Sequence, residues 1–236
     1  MAGRDRWMLD ERASAGRENL DPVHVARYDH KEDADGPAEA ALVRSLVSGD
    51  GPTIVDLGAG TGQFTLAAAR LGGRVVAVDV SEPMLAQIAA QAGSAGLTNV
   101  ECVESGFLTY EHGGGPADIV YSRYALHHLS DFWKGIALAR IASMLRPGGV
   151  LRLVDIVYSV DPDDAEVVVR RWLAHSGAHR IEQAWTRAEL EEHVREEQST
   201  FSWLLEPMIE RSGLVIEAAA YAPDRMVARY VCRRPG

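Results

Sequence analysis

The chain has 236 residues, of which 47% are hydrophobic and 25% charged, enough for one sizeable core with a small appendage. Its formal charge of -10 comes without the clustered Lys and Arg that a phosphate backbone requires, so an extended nucleic-acid surface is excluded and a small molecule is the expected partner. No apolar stretch approaches the roughly 18 residues of a membrane span, and the charged start "MAGRDRWMLDER" lacks a leader pattern, so the expectation is a soluble cytoplasmic protein without membrane contact, a homodimer being left open.

From Pro37 the chain alternates helix and strand patterns. "PAEAALVRSLV" has helical spacing with Pro37 in the first turn, "TIVDL" is a short apolar strand, and "GQFTLAAARLGG" is a helix closed by glycines. "RVVAVDV" predicts a second strand, and "SEPMLAQIAAQAGSAG" a helix capped by Ser81 with Pro83 in its first turn. "NVECV" and "ADIVYS" are the third and fourth strands. "DFWKGIALARIASMLRPGG" is a long helix that must stop at Pro147, and "VLRLVDIVY" is the fifth strand. Near-continuous apolar strands alternating with helices imply a doubly wound α/β fold with a mainly parallel sheet, whose ligand lies beyond the carboxyl ends of the strands.

Residues 158–212 break the alternation with charged, helical segments, including a capping box at Thr186 and Glu189, and the position of this insert makes it a lid over the ligand crevice. "LVIEAAAY" and "DRMVARYVC" then close the sheet as an antiparallel edge. The expected division is a leading segment 1–36, a ligand-binding core 37–157, the helical insert 158–212 and the closing strands 213–236. Cys102 and Cys232 each fall in an expected strand without a nearby partner, so no disulfide is expected.

"VDLGAGTGQ" places Gly58, Gly60 and Gly62 between a strand and a helix, where absent side chains let the backbone turn tightly and approach a ligand. Its G-x-G-x-G spacing differs from the G-x-G-x-x-G of pyrophosphate loops. Asp79 ends the second strand, where a carboxylate can accept from both hydroxyls of a ribose. Loop and acid together specify a nucleoside ligand.

At this point "VDLGAGTGQ", "VVAVDVSEPML", "DIVYSRYALHHL" and "LRPGGVLRLVDI" resemble the successive motifs of class I S-adenosylmethionine-dependent methyltransferases, in particular the small-molecule group of quinone C-methyltransferases and natural-product tailoring enzymes. The resemblance implies a seven-stranded sheet of order 3-2-1-4-5-7-6 with strand 7 antiparallel. It implies S-adenosylmethionine as cofactor, S-adenosylhomocysteine as product, and methyl transfer to an O, N or C nucleophile of a small acceptor. A cyclase on the same fold, or a cofactor-binding protein without methyl transfer, is the alternative. By the same resemblance Asp56 lies near the methionine amino group, Gly58, Gly60, Thr61 and Gly62 cradle the cofactor, Asp79 holds the ribose, and Val80 and Met84 flank the adenine. Ser122, ending strand four, joins the binding set. Where the family often has an acid after strand three, contacting the adenine amine, this chain has Gly106, which shifts the expected contact to Phe107. "ARYDHKED" resembles the family's short N-terminal lid helix and offers Tyr28.

"ALHHL" sets His127 and His128 at the crevice edge. Adjacent imidazoles diverge on a strand, and no nearby Cys or carboxylate completes a ligand set, so no metal is expected. Two roles remain, general base or packing support, with packing favoured and no choice between the two residues. His193 in "EEHVREEQSTFSW" is a third candidate, with Glu197 at i+4, against the alternative of a solvated acidic helix.

Overall fold

The computed structural model describes residues 7–15, 35–175 and 186–236. The central sheet forms from β1 (Thr53–Leu57), β2 (Arg74–Asp79), β3 (Val100–Glu104), β4 (Ala117–Arg123) and β5 (Leu145–Tyr158), which run parallel in the order β3-β2-β1-β4-β5. Next to β5 lie β8 (Val227–Arg233) and then β7 (Val215–Tyr221), both pairings antiparallel. This is the expected order, renumbered by one because a two-residue strand, β6 (Thr200–Phe201), pairs with the end of β5.

Alternation along the strands divides the core into two layers. Val55 and Leu57 of β1 face one side, with Leu138 and Ile141 of α5 (Asp131–Met144). Ile54 faces the other, with Val43 of α2 (Gly36–Ser45) and Phe64 of α3 (Gln63–Arg70). The remaining helix of the wound core, α4 (Glu82–Ser94), starts where Ser81 Oγ accepts from Met84 N at 3.4 Å, as its sequence predicts. One boundary differs: the "RPGG" stretch is drawn into β5, whose Leu145 pairs with Ala117 before a bulge leads to the Ile119–Val150 register.

α2 is tied to the sheet by a buried fork, in which the Arg152 guanidinium donates to both Glu39 oxygens at 2.9 and 2.7 Å. The insert comprises α6 (Pro162–His175), α7 (Arg187–Glu196), β6 and α8 (Ser202–Arg211). Thr186 and Glu189 form the anticipated capping box on α7. α8, assigned to the insert by sequence, packs as a core helix instead: Leu205 and Ile209 are buried in the main apolar cluster with α5 residues. No helix among the described residues is long and apolar enough to cross a membrane.

Candidate active site

At the carboxyl ends of β1, β2 and β4 lies a cavity that is open to solvent on one side. Its floor is the loop from Gly58 to Thr61. Gly58 and Gly60 have φ of 74° and 54°, the left-handed region open to glycine. A Cβ on Gly58 would stand 2.3 Å from the Ala125 Cβ, so this glycine is required by close approach as well as by conformation. Gly62 caps α3 against Ile88 and does not line the cavity; its role is packing.

Asp79 is almost fully buried, with Oδ2 accepting from Gly60 N at 2.9 Å and Oδ1 from Ser81 N at 2.8 Å. One carboxylate thus pins the glycine loop and the start of α4 together while lining the cavity. Burial raises its pKa, and the backbone donors oppose the rise. Asp56, at the end of β1, accepts from Thr65 Oγ1 at 2.6 Å, and burial pushes it up to about 7 despite that bond, with Asp79 adding to the rise. Val80, Met84 and Phe107 supply an apolar wall.

α1 (Glu11–Ser14) closes one side. The Glu11 carboxylate fills the space a side chain on Gly106 would take, with a Cβ there falling 2.4 Å from its Oε1. Glu11 is buried; its Oε2 accepts from Leu108 N at 3.1 Å, and it lines the cavity beside Ser105 and Phe107. Opposite, Tyr124 takes a left-handed φ of 49°, a strained backbone for a bulky residue, and turns the chain from β4 into a 3-10 turn, Leu126–His128.

In that turn the two histidine rings lie 4.4 Å apart, centroid to centroid, but in different surroundings. His128 lines the cavity, where burial and the adjacent His127 hold its pKa down to about 4. His127 points away, 4% exposed, with Nδ1 2.5 Å from Asp155 Oδ1. Burial lowers its pKa, but Asp155 and Glu197 overcome this and hold it up to about 10. Its Nε2 lies 2.8 Å from Glu197 Oε2, and the same oxygen is 2.5 Å from His193 Nδ1. Both contacts fall at ion-pair distance yet off the N–H directions, leaving Oε2 buried without a hydrogen bond. His193 Nε2 pairs with Ser199 Oγ at 3.0 Å.

Residues 54–149 match the family described as a methyltransferase domain. The core is a methyltransferase domain. Over 127 residues it is 32% identical to the ubiquinone biosynthesis O-methyltransferase of Caulobacter vibrioides, covering 54% of this chain and 45% of that protein. Over 118 residues it is 40% identical to the cypemycin N-terminal methyltransferase of a Streptomyces species, covering 48% and 46%. The chain thus spans about half the length of the curated relatives it matches. In fold it resembles the N-methyltransferase NodS of Bradyrhizobium japonicum, solved with S-adenosyl-L-homocysteine, at a TM-score of 0.59 and 15% identity over 87% of this chain and 90% of that one.

The methyltransferase domain brings Asp56, Gly58, Gly60, Thr61, Asp79, Val80, Met84, Phe107 and His128 around one cavity. Ser122 is not among its walls: successive β4 residues face opposite ways, and Tyr121 and Arg123 take the cavity side. His127 and His193 lie behind the wall, in the contact between the domain and α7. Tyr28 lies outside the described residues. Sequence reasoning missed Glu11, Gly36 and Tyr124 as wall residues. For Glu11 one signal was present, a glycine where an acid was expected.

Proposed function

We propose that the chain is an S-adenosylmethionine-dependent methyltransferase acting on a small-molecule acceptor. The observation that carries this reading is the doubly anchored Asp79 carboxylate standing beside a glycine loop too tight for a Cβ at Gly58, with Asp56 in the same cavity. The donor set fits the cofactor. Asp79 suits a ribose diol, Asp56 an ammonium group, and the wall of Val80, Met84 and Phe107 a flat base. The bound cofactor supplies the electrophilic methyl group. The protein's part is then to align an acceptor and exclude water, worth up to about 7–11 kcal/mol.

The named relatives modify different atoms, oxygen in one and an N-terminus in the other, so the acceptor is tied to neither. His128 is the imidazole on the wall, placed to accept a hydrogen bond from an acceptor hydroxyl or amine. His128→Asn should lower turnover at least tenfold with S-adenosylhomocysteine affinity unchanged. Normal turnover would remove His128 from the acceptor side.

Glu11 deepens the reading. Its carboxylate, arriving from α1 at the Gly106 position, is placed to accept from the exocyclic amine of an adenine. Glu11→Gln should weaken S-adenosylhomocysteine roughly tenfold, the loss of one charge-assisted bond. The wild type should also discriminate against S-inosylhomocysteine, which has a carbonyl in place of the amine, and the variant should lose that discrimination. Equal discrimination in both proteins would show that Glu11 serves only to cap the loop.

The deciding experiment is calorimetry with S-adenosylhomocysteine against NADH, followed by mass spectrometry of acceptors incubated with S-adenosylmethionine. Binding of the former alone, with a product one methyl heavier, is the expected result. NADH binding would overturn the cofactor assignment, and turnover without a mass gain would favour the cyclase alternative.

A further inference from the structure

Behind the cavity wall, two imidazoles and a carboxylate from separate parts of the chain converge, so that their ligating atoms all lie within 4.8 Å of one another. We propose that His127, His193 and Glu197 bind one divalent transition-metal ion, Zn2+ in chemical type, which fastens the helical insert to the domain at the end of β4. This inference does not depend on the methyl-transfer reading.

Three observations carry it. The first is the orphaned oxygen: Glu197 Oε2 is buried against His127 Nε2 and His193 Nδ1, yet neither nitrogen directs an N–H at it. A hydrogen-bonded cluster would aim those donors at the oxygen, because directionality is most of such a bond's strength. Nitrogens and an oxygen that approach closely without pairing are arranged for a shared cation. The second is the outer layer. Each imidazole has its other nitrogen held by a side chain, His127 Nδ1 by Asp155 at 2.5 Å and His193 Nε2 by Ser199 at 3.0 Å. That support fixes ring orientation and tautomer, as it does for metal-bound histidines. Ser199 is hydrogen-bonded in turn to Tyr158 at the end of β5.

The third is charge. Two carboxylates, Asp155 and Glu197, flank His127 at 2.5 and 2.8 Å, so the cluster gathers anionic and imidazole donors at one point. Two nitrogens and one oxygen suit Zn2+ or its neighbours rather than Mg2+ or Ca2+, which take oxygen shells. Bonds of about 2.0–2.2 Å in a tetrahedron set ligand atoms roughly 3.3 Å apart, so the three side chains, whose ligating atoms lie within 4.8 Å of one another, close on an ion by shifts on the order of 1 Å. The Trp172 ring, 6.0 Å from His193, covers the site from α6.

The test uses the full chain, stripped with a chelator and titrated with Zn2+ alone. After desalting, elemental analysis should find one Zn2+ per chain, and Co2+ in its place should develop visible absorption of a four-coordinate site. The near-isosteric changes Glu197→Gln and His193→Asn should each weaken Zn2+ at least tenfold while leaving the circular dichroism spectrum unchanged. Zn2+ should raise the melting temperature of the wild type and not of the variants. A stripped wild type that takes up no stoichiometric Zn2+ would overturn the proposal. So would uptake that persists undiminished in both variants, since the ion would then sit on other side chains. If a variant loses the native spectrum, the wild-type stoichiometry and the Co2+ spectrum decide the matter alone.

Discussion

Gly58→Val is expected to abolish S-adenosylhomocysteine binding and to destabilise the protein by about 2–5 kcal/mol. A left-handed backbone costs a branched residue roughly 1–2 kcal/mol, and forcing atoms into a filled space costs about 1–3 more. Here the filled space is Ala125, whose Cβ would be 2.3 Å from the new one. Ala125 precedes the turn that carries His128, so the strain reaches both the loop and the opposite wall. Gly60 differs: a Cβ there would meet Met84 Sδ at 3.8 Å, an ordinary contact, so Gly60→Ala should cost the apo protein only the conformational part. Denaturant unfolding of Gly58→Ala, with and without Ala125→Gly, separates the two components. The second change should restore the packing share and leave the backbone share. A Gly58→Ala protein as stable as wild type would mean the loop is looser than the geometry indicates.

The second large effect is a pH dependence of cofactor binding. Asp56 is held near 7 by burial, against an ordinary 3.8, so the folded apo protein keeps a proton that the unfolded chain releases. Its contribution to stability is therefore fully present below about pH 4 and is lost as pH rises through about 7, a change of roughly 4 kcal/mol by linkage. A ligand ammonium beside Asp56 favours the ionised form, and binding must expel the proton. S-adenosylhomocysteine affinity should thus climb about tenfold per pH unit from pH 5 to 7 and level off above. Asp79, also raised by burial, adds slope in the same direction. Calorimetry in buffers of different ionisation enthalpy should record proton release below pH 7. Asp56→Asn should bind weakly and lose the inflection near 7. An unchanged inflection in that variant would place the proton elsewhere.

Much of the frame was legible because it rests on local signals. Apolar runs of strand length, Ser81 and Thr186 as caps, and glycines at the β1–α3 junction are each dictated by backbone chemistry within a few residues. The carboxylate at the end of β2 could be located by counting from the loop. Elements completed by distant partners were not legible. Glu11 reaches Gly106 from across the sequence, so nothing local marks it as a wall residue. The two imidazoles were expected to diverge as on a strand; in the 3-10 turn their ring centroids instead lie 4.4 Å apart, and only His128 reaches the cavity, in a turn set by the left-handed Tyr124. Ser122 was misplaced because strand parity depends on register, and the bulge after Ala117 shows how readily register shifts there. α8 was grouped with the insert because its charge pattern resembles its neighbours, whereas Leu205 and Ile209 decide its packing.

The short β6 has a consequence for how such a protein can be re-engineered. Its Thr200 and Phe201 lie directly beside Val157 and Tyr158 of β5, so the chain leaves the sheet and re-enters it at neighbouring positions, about one strand spacing apart. The excursion between them is closed at its base. Its loop-closure entropy is met by pairing that belongs to the sheet, and that entropy grows only slowly with length. The segment from Ser159 to Ser199 can therefore be regarded as a cassette between two fixed docking points, exchangeable for a longer or shorter one without resetting the register of the strands that hold the cavity floor.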